Sequence, residues 1–145
     1  MMKIRRELRN RKGEVWCQCL FYPDEKILKF KWVGSIQLLP IEISIAREFT
    51  LRLLKEFQPS YVLNDASLFN SGWYYDRERS EQVWLPTLNS IGIKKIAYVF
   101  SSHPFGTKEA KEMQEVARKR FQHPDIQLFP NIQQAKDWLL THINL

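Results

Sequence analysis

Apolar side chains in this chain switch spacing repeatedly, from every second position to every third or fourth, and that switching fixes the class of fold. From Glu14 to Tyr22 they alternate, with Val15, Cys17, Cys19 and Phe21 on one face and Trp16, Leu20 and Tyr22 on the other. Pro23-Asp24-Glu25 is turn chemistry. Lys26 to Val33 alternates again, with Leu28, Phe30 and Trp32 inward and Lys29 and Lys31 outward. The two runs predict a β-hairpin closed by Gly34. Then the period lengthens. Ile45, Phe49, Leu53 and Phe57, helped by Ala46 and Leu54, predict the buried stripe of a helix from Pro40 to Phe57. Pro40 suits its first turn, where a missing N–H costs nothing.

The exchange continues along the chain. Ser60 to Leu63 predicts a short strand ended by Asn64-Asp65. Asp76 to Ile91, with Trp84, Leu88 and Ile91 at helical spacing, predicts a helix that Pro86 either kinks or shortens, capped by Gly92. Ile96 to Phe100 reads as a buried parallel strand. Thr107 to Phe121 predicts a helix burying Ala110, Met113, Ala117 and Phe121. Ile126 to Phe129 is a last strand, and Asn131 caps a final helix that carries Ile132, Ala135, Trp138 and Leu139 on one face. Strands alternating with helices require right-handed crossovers. The expected fold is therefore a single α/β domain over residues 13–145: a mainly parallel five-stranded sheet with an N-terminal β-hairpin and four helices. At 145 residues such a domain buries a core without covalent staples.

Charge is uneven. Residues 1–12 carry Lys3, Arg5, Arg6, Arg9, Arg11 and Lys12 against Glu7 alone, so this basic N-terminal arm holds +5 of the net +6. The arm offers salt-sensitive attraction to nucleic acid or to an anionic membrane surface, but the near-neutral body makes its expected role the weaker one of aiding solubility. Ile4, Leu8 and Val15 hint that it also packs or runs into the first strand. No apolar run approaches the roughly 18 residues that cross a bilayer. Cys17 and Cys19, two apart on a strand, cannot bridge without strain, so reduced thiols in the cytoplasm are expected.

Catalytic and metal chemistry finds little footing. His103, His123 and His142 are far apart and no Cys-x-x-Cys or His-x-x-x-His pair occurs, so no metal is expected. No Gly-x-Ser-x-Gly elbow and no glycine-rich phosphate loop can be written, so no cofactor and no enzymatic activity are expected. Ser101-Ser102-His103-Pro104-Phe105-Gly106-Thr107 joins a strand to a helix where anions are favoured, and reads as an ordinary loop capped by Thr107. Asp65 and Asp76 flank a loop that holds Leu68 and the rings of Phe69, Trp73, Tyr74 and Tyr75, with no further acid–base pattern.

The chain contains Phe30-Lys31-Trp32-Val33-Gly34, Tyr61-Val62-Leu63-Asn64-Asp65, Glu81-Gln82-Val83-Trp84-Leu85, Gly92 to Val99, Gln127-Leu128-Phe129 and Ala135 to Leu139. In these words, and in its order of strands and helices, it resembles the STAS fold and, within it, the SpoIIAA-like family of small bacterial proteins. The resemblance implies a regulatory or protein-interaction module that works through a partner protein or its own dimer. Its phosphorylated Asp-Ser-Ser-Gly motif has Phe69-Asn70-Ser71-Gly72 as nearest match here. That match lacks the acidic residue and the paired serine, so Ser71 stands in a degraded version of the motif and reads as a turn. The family's likeness in shape to lipid-exchange domains implies an alternative: an apolar small molecule held by Phe69, Trp73, Tyr74 and Trp84. The same rings otherwise plug the core.

Overall fold

The computed structural model describes residues 3–34, 39–69, 83–100, 111–112, 114–119 and 124–141. Six strands form one mixed sheet in sequence order: β1 (Ile4–Arg9), β2 (Val15–Tyr22), β3 (Ile27–Gly34), β4 (Tyr61–Phe69), β5 (Lys95–Val99) and β6 (Asp125–Phe129). The β1–β2 and β2–β3 pairs are antiparallel, and β3–β4, β4–β5 and β5–β6 are parallel. Helix α1 spans Pro40–Phe57 and α2 spans Leu85–Ile91. Residues 111–112 and 114–119 are helical (α3), and α4 is Ile132–Leu140.

The sheet has six strands where the sequence predicts five, because Ile4–Arg9 pairs along the outer side of β2. Ile4 and Leu8, two of the few apolar residues in that basic segment, pack against the core and draw it into the sheet. A second difference is the length of β4. Asn64-Asp65 is turn chemistry by composition, yet the strand runs on to Phe69. The Asn64 side chain accepts the Trp32 indole N–H at 2.9 Å. Asp65 Oδ1 accepts both the backbone N–H and the hydroxyl of Ser67, at 3.0 and 2.6 Å, where β4 carries an extra residue against β3. Both polar groups are satisfied inside the strand, so neither ends it.

Trp16 is a third difference. Leu8 pairs with Cys17 and Arg9 with Val15, which leaves Trp16 as the extra residue of a β-bulge. A bulge re-aims a side chain. Trp16 therefore packs edge-on against Trp32, with centroids 5.7 Å apart, and not on the face that strict alternation predicts.

Helix α1 has its predicted bounds, with Pro40 as its first residue and a stop at Gln58, which takes a left-handed conformation and donates its N–H to the Leu54 carbonyl. Its buried residues are Glu42, Ala46, Phe49, Leu53 and Leu54; Ile45 is exposed, contrary to the predicted stripe. Pro86 lies in the first turn of α2, the shorter of the two predicted possibilities, and Gly92 caps that helix at φ +90°. Asn131 caps α4 by accepting the Gln134 N–H at 2.9 Å. In α3, Val116 and Ala117 are buried; Ala110, Met113 and Phe121 lie outside the described residues.

Strand order decides where the helices go. Successive parallel strands are added in one direction, so crossovers of one hand put α1, α2 and α3 on the same face. That face holds the larger core, in which Phe49, Leu53, Leu85, Leu88 and Val116 meet Cys17, Phe30, Trp32, Val62 and Ile96. Among the described helices only α4, which follows the last strand, lies on the opposite face, over β4, β5 and β6. Its Ala135 and Leu139 join Tyr61, Leu63, Ala97 and Val99 in a smaller core. Lys95 seats it further, with Nζ 4.7 Å from the Trp138 ring centroid and 3.3 Å from the Trp138 carbonyl.

Candidate interaction surfaces

The carboxyl ends of β3, β4 and β5 share one edge of the sheet, where open α/β sheets take ligands. Phe69 ends β4 there, paired with Gly34 of β3. Trp84 stands just before α2, half-buried against the larger core. Of the other predicted site residues, Ser71, Trp73 and Tyr74 lie outside the described residues. So do Asp76, the segment from Ser101 to Thr107, and His103, His123 and His142. Asp65, which with Asp76 flanks the aromatic segment, is buried and engaged with Ser67.

Near this edge the start of α1 is held by a contact that composition did not suggest. Glu42 is 6% exposed, and its Oε1 accepts the Leu39 N–H at 3.1 Å as well as an N–H of Arg11 from the β1–β2 turn. At the far end of α1, Arg6 of β1 pairs with Glu56 at 3.1 Å and lies over the Phe57 ring, which stacks on Phe21. Arg5 and Arg9 both pair with Glu7. Much of the basic N-terminal charge is thus spent within the domain. The signal in the sequence was the pair of apolar residues Ile4 and Leu8 spaced four apart among the cations.

Two surfaces remain unexplained by packing. On α1, Ile41 is 63% and Ile45 is 45% exposed, one helical turn apart, with exposed Leu39 just before them. Leu68 and Val83, at the two sides of residues 70–82, are also exposed. The second surface is the half of the sheet that none of the described helices covers. In one row across it Arg5 stands opposite Leu20, Leu20 opposite Lys29, and Lys29 opposite Leu63. In the next, Glu7, Gln18, Lys31 and Asp65 follow one another. Burial lowers the affinity of Lys29 for its proton, and Lys136, Lys31 and Lys3 lower it further, while Asp65 opposes them.

The two thiols lie in the larger core and are fully buried. Burial pushes Cys19 up to about 12, with smaller opposing effects of Arg6 and Glu56. Cys17 is raised further, by burial first and by Cys19 second. Neither forms a thiolate at neutral pH, so neither is a nucleophile in the folded chain. Among the described residues no group of three or more His, Cys, Asp or Glu side chains could hold a metal, and no helix is long and apolar enough to cross a membrane. Comparison with protein-family models, with curated proteins and with solved structures returned no match.

Proposed function

We propose that this chain is a STAS-like regulatory module of the SpoIIAA-like kind, without catalytic activity, that docks a protein partner or a second copy of itself through the start of α1. The observation that carries this reading is the exposed pair Ile41 and Ile45. A helix that contributes Ala46, Phe49, Leu53 and Leu54 to the core spends two isoleucines on water, and each fully buried isoleucine is worth about 1.5–3 kcal/mol. Leu39 extends the patch, and the Arg11–Glu42 contact fixes the helix start that presents it. The element order, an N-terminal hairpin followed by alternating helices and parallel strands, supports the STAS resemblance. Two buried, unbridged cysteines suit a reducing compartment, which favours the cytoplasm.

Sedimentation equilibrium over a range of concentrations tests the self-association arm, and cross-linking of the tagged chain in its native cell, followed by reconstitution with purified candidates, tests the partner arm. Association lost in Ile41→Asp/Ile45→Asp with folding retained supports the reading. A protein that is monomeric throughout and forms no reconstituted complex sinks it.

A second reading has its own observation. Leu68 and Val83 are exposed on both sides of the segment that contains Trp73 and Tyr74. This favours an apolar, lipid-like ligand held by Phe69, Trp73, Tyr74 and Trp84. Native mass spectrometry of freshly purified protein would reveal such a molecule as a mass increment. A bare chain mass, with Trp fluorescence unmoved by added fatty acid, would remove this alternative.

A further inference from the structure

The half of the sheet that no described helix covers is a consequence of topology. Among the described residues, three helices lie on the opposite face, α4 covers β4 to β6, and no helix packs on the second face of β1, β2 and β3. At the centre of a six-stranded sheet such a face normally carries apolar residues that await a layer. Here β3 carries Lys29 and Lys31. Both are half-buried, with Leu20 and Gln18 beside them on β2 and Leu63 and Asp65 on β4. Lys3 and Lys136 are close enough for their charges to act on Lys29.

The negative side chains nearby do not balance this charge. Glu7 is engaged by Arg5 and Arg9, and the one carboxylate that acts on Lys29, Asp65, faces the three charges of Lys136, Lys31 and Lys3. Among the described residues neither Lys29, Lys31, Lys3 nor Lys136 lies within salt-bridge distance of a carboxylate. Like charges gathered on a partly desolvated surface repel, and stability is lost by keeping them there. We propose that this lysine face of β1–β3, with Lys136 of α4 at its border, docks an acidic polypeptide segment rich in Asp and Glu.

The surface favours that partner over other anions. Tyr22 is the one aromatic residue that β1, β2 and β3 present on these rows, which leaves no stacking platform for bases. The apolar residues beside these lysines, Leu20, Tyr22, Ile27 and Val33, are half-buried, and none is among the exposed large hydrophobic residues that insertion into a lipid layer would use. Half-buried apolar ground studded with ammonium groups matches a carboxylate-rich peptide laid across it. The proposal is independent of the α1 patch, which belongs to an element on the other face.

Fluorescence anisotropy of a labelled polyglutamate peptide, titrated with the full chain at low salt, tests it. Salt-sensitive binding is expected, weakened about tenfold or more in Lys29→Gln/Lys31→Gln. Lys55→Gln, on the exposed side of α1, should leave it unchanged. Ile41→Asp/Ile45→Asp should also leave it unchanged, so that failure of the α1 reading and failure of this one are told apart. Circular dichroism and thermal melting show whether the lysine variants fold, and the single variant Lys31→Gln serves if the double one does not. No binding at low salt overturns the proposal, as does binding indifferent to Lys29 and Lys31. Tighter binding of single-stranded oligouridylate or of phosphatidylserine vesicles than of polyglutamate overturns the assignment of the partner.

Discussion

Arg11, in the turn between β1 and β2, donates to the carboxylate of Glu42, which is buried in the first turn of α1. The same carboxylate oxygen accepts the Leu39 N–H, one of the donors that every helix start leaves unpaired. One side chain thus closes the helix and ties it to the edge of the sheet. With Arg6 of β1 and Glu56 at the other end, α1 is clasped at both termini, to β1 and to the turn that follows it.

The clasp at Arg11 should be measurable. Removing Arg11 leaves Glu42 buried with its backbone donor alone, and Arg11 itself is close to half exposed, so solvent screening reduces the loss. Arg11→Ala should cost about 1–2 kcal/mol by urea unfolding, against less than about 0.5 kcal/mol for the neighbouring Lys12→Ala. Equal, negligible values for both would show that the contact contributes nothing.

Ile45 and Phe49 sit on one predicted stripe but in different surroundings. Phe49→Ala opens a cavity in the larger core and should cost about 3–5 kcal/mol. Ile45→Ala exposes nothing new and should stay within about 0.5 kcal/mol of the parent. Similar losses at both positions would mean that Ile45 is covered in solution by something the isolated chain already contains.

The contrast shows what the sequence could and could not convey. Spacing found α1 to the residue, because Pro40 and the residues after Phe57 punctuate it physically. It could not say which way the helix is rolled, since Ile41 and Ile45 satisfy the same period as the buried stripe at an offset of one or two residues. Strict alternation put Trp16 opposite Cys17, and one inserted residue at the bulge undid that. Strand β1 was hidden by its cations, Arg5, Arg6 and Arg9, all exposed on an edge that needs only Ile4 and Leu8 inside. The lysine face was half legible: Lys29 and Lys31 read as outward, but only the strand order shows why the described crossover helices lie on the other face. Of the aromatic set, Phe69 ends β4 where the sequence predicts a loop, Trp84 stands at the start of α2, and Trp73 and Tyr74, like Ser71, are outside the described residues.

Cys17 and Cys19 make alkaline stability a test of the larger core. Their protons are held more tightly in the folded chain than in the unfolded one, whose thiols titrate near the ordinary value of 9.0. Their contribution is therefore complete below about pH 9 and is lost as pH rises from there toward about 12, the folded value of Cys19. Stability should fall with pH across that window, and the fall should be shallower in Cys17→Ala/Cys19→Ala. Iodoacetamide at pH 8 should label neither thiol until denaturant is added. Rapid labelling of the native chain would contradict the packing described.

Lys29 runs in the opposite direction. Burial and the neighbouring Lys136, Lys31 and Lys3 lower its pKa below the ordinary 10.5, so in the range between its folded and unfolded values the unfolded chain binds more protons. There stability rises with pH from this residue, and at neutral pH, where both states carry the charge, its full cost is present. Lys29→Gln should therefore raise the urea midpoint at pH 7. The gain should shrink as pH climbs toward 10.5 and the parent loses the same charge. An acidic peptide that neutralises the face should reproduce the effect, raising the midpoint of the parent chain but not of Lys29→Gln/Lys31→Gln. If Lys29→Gln lowers the midpoint at pH 7, the lysine rows are not repelling one another, and the surface is a settled part of the fold with no partner to wait for.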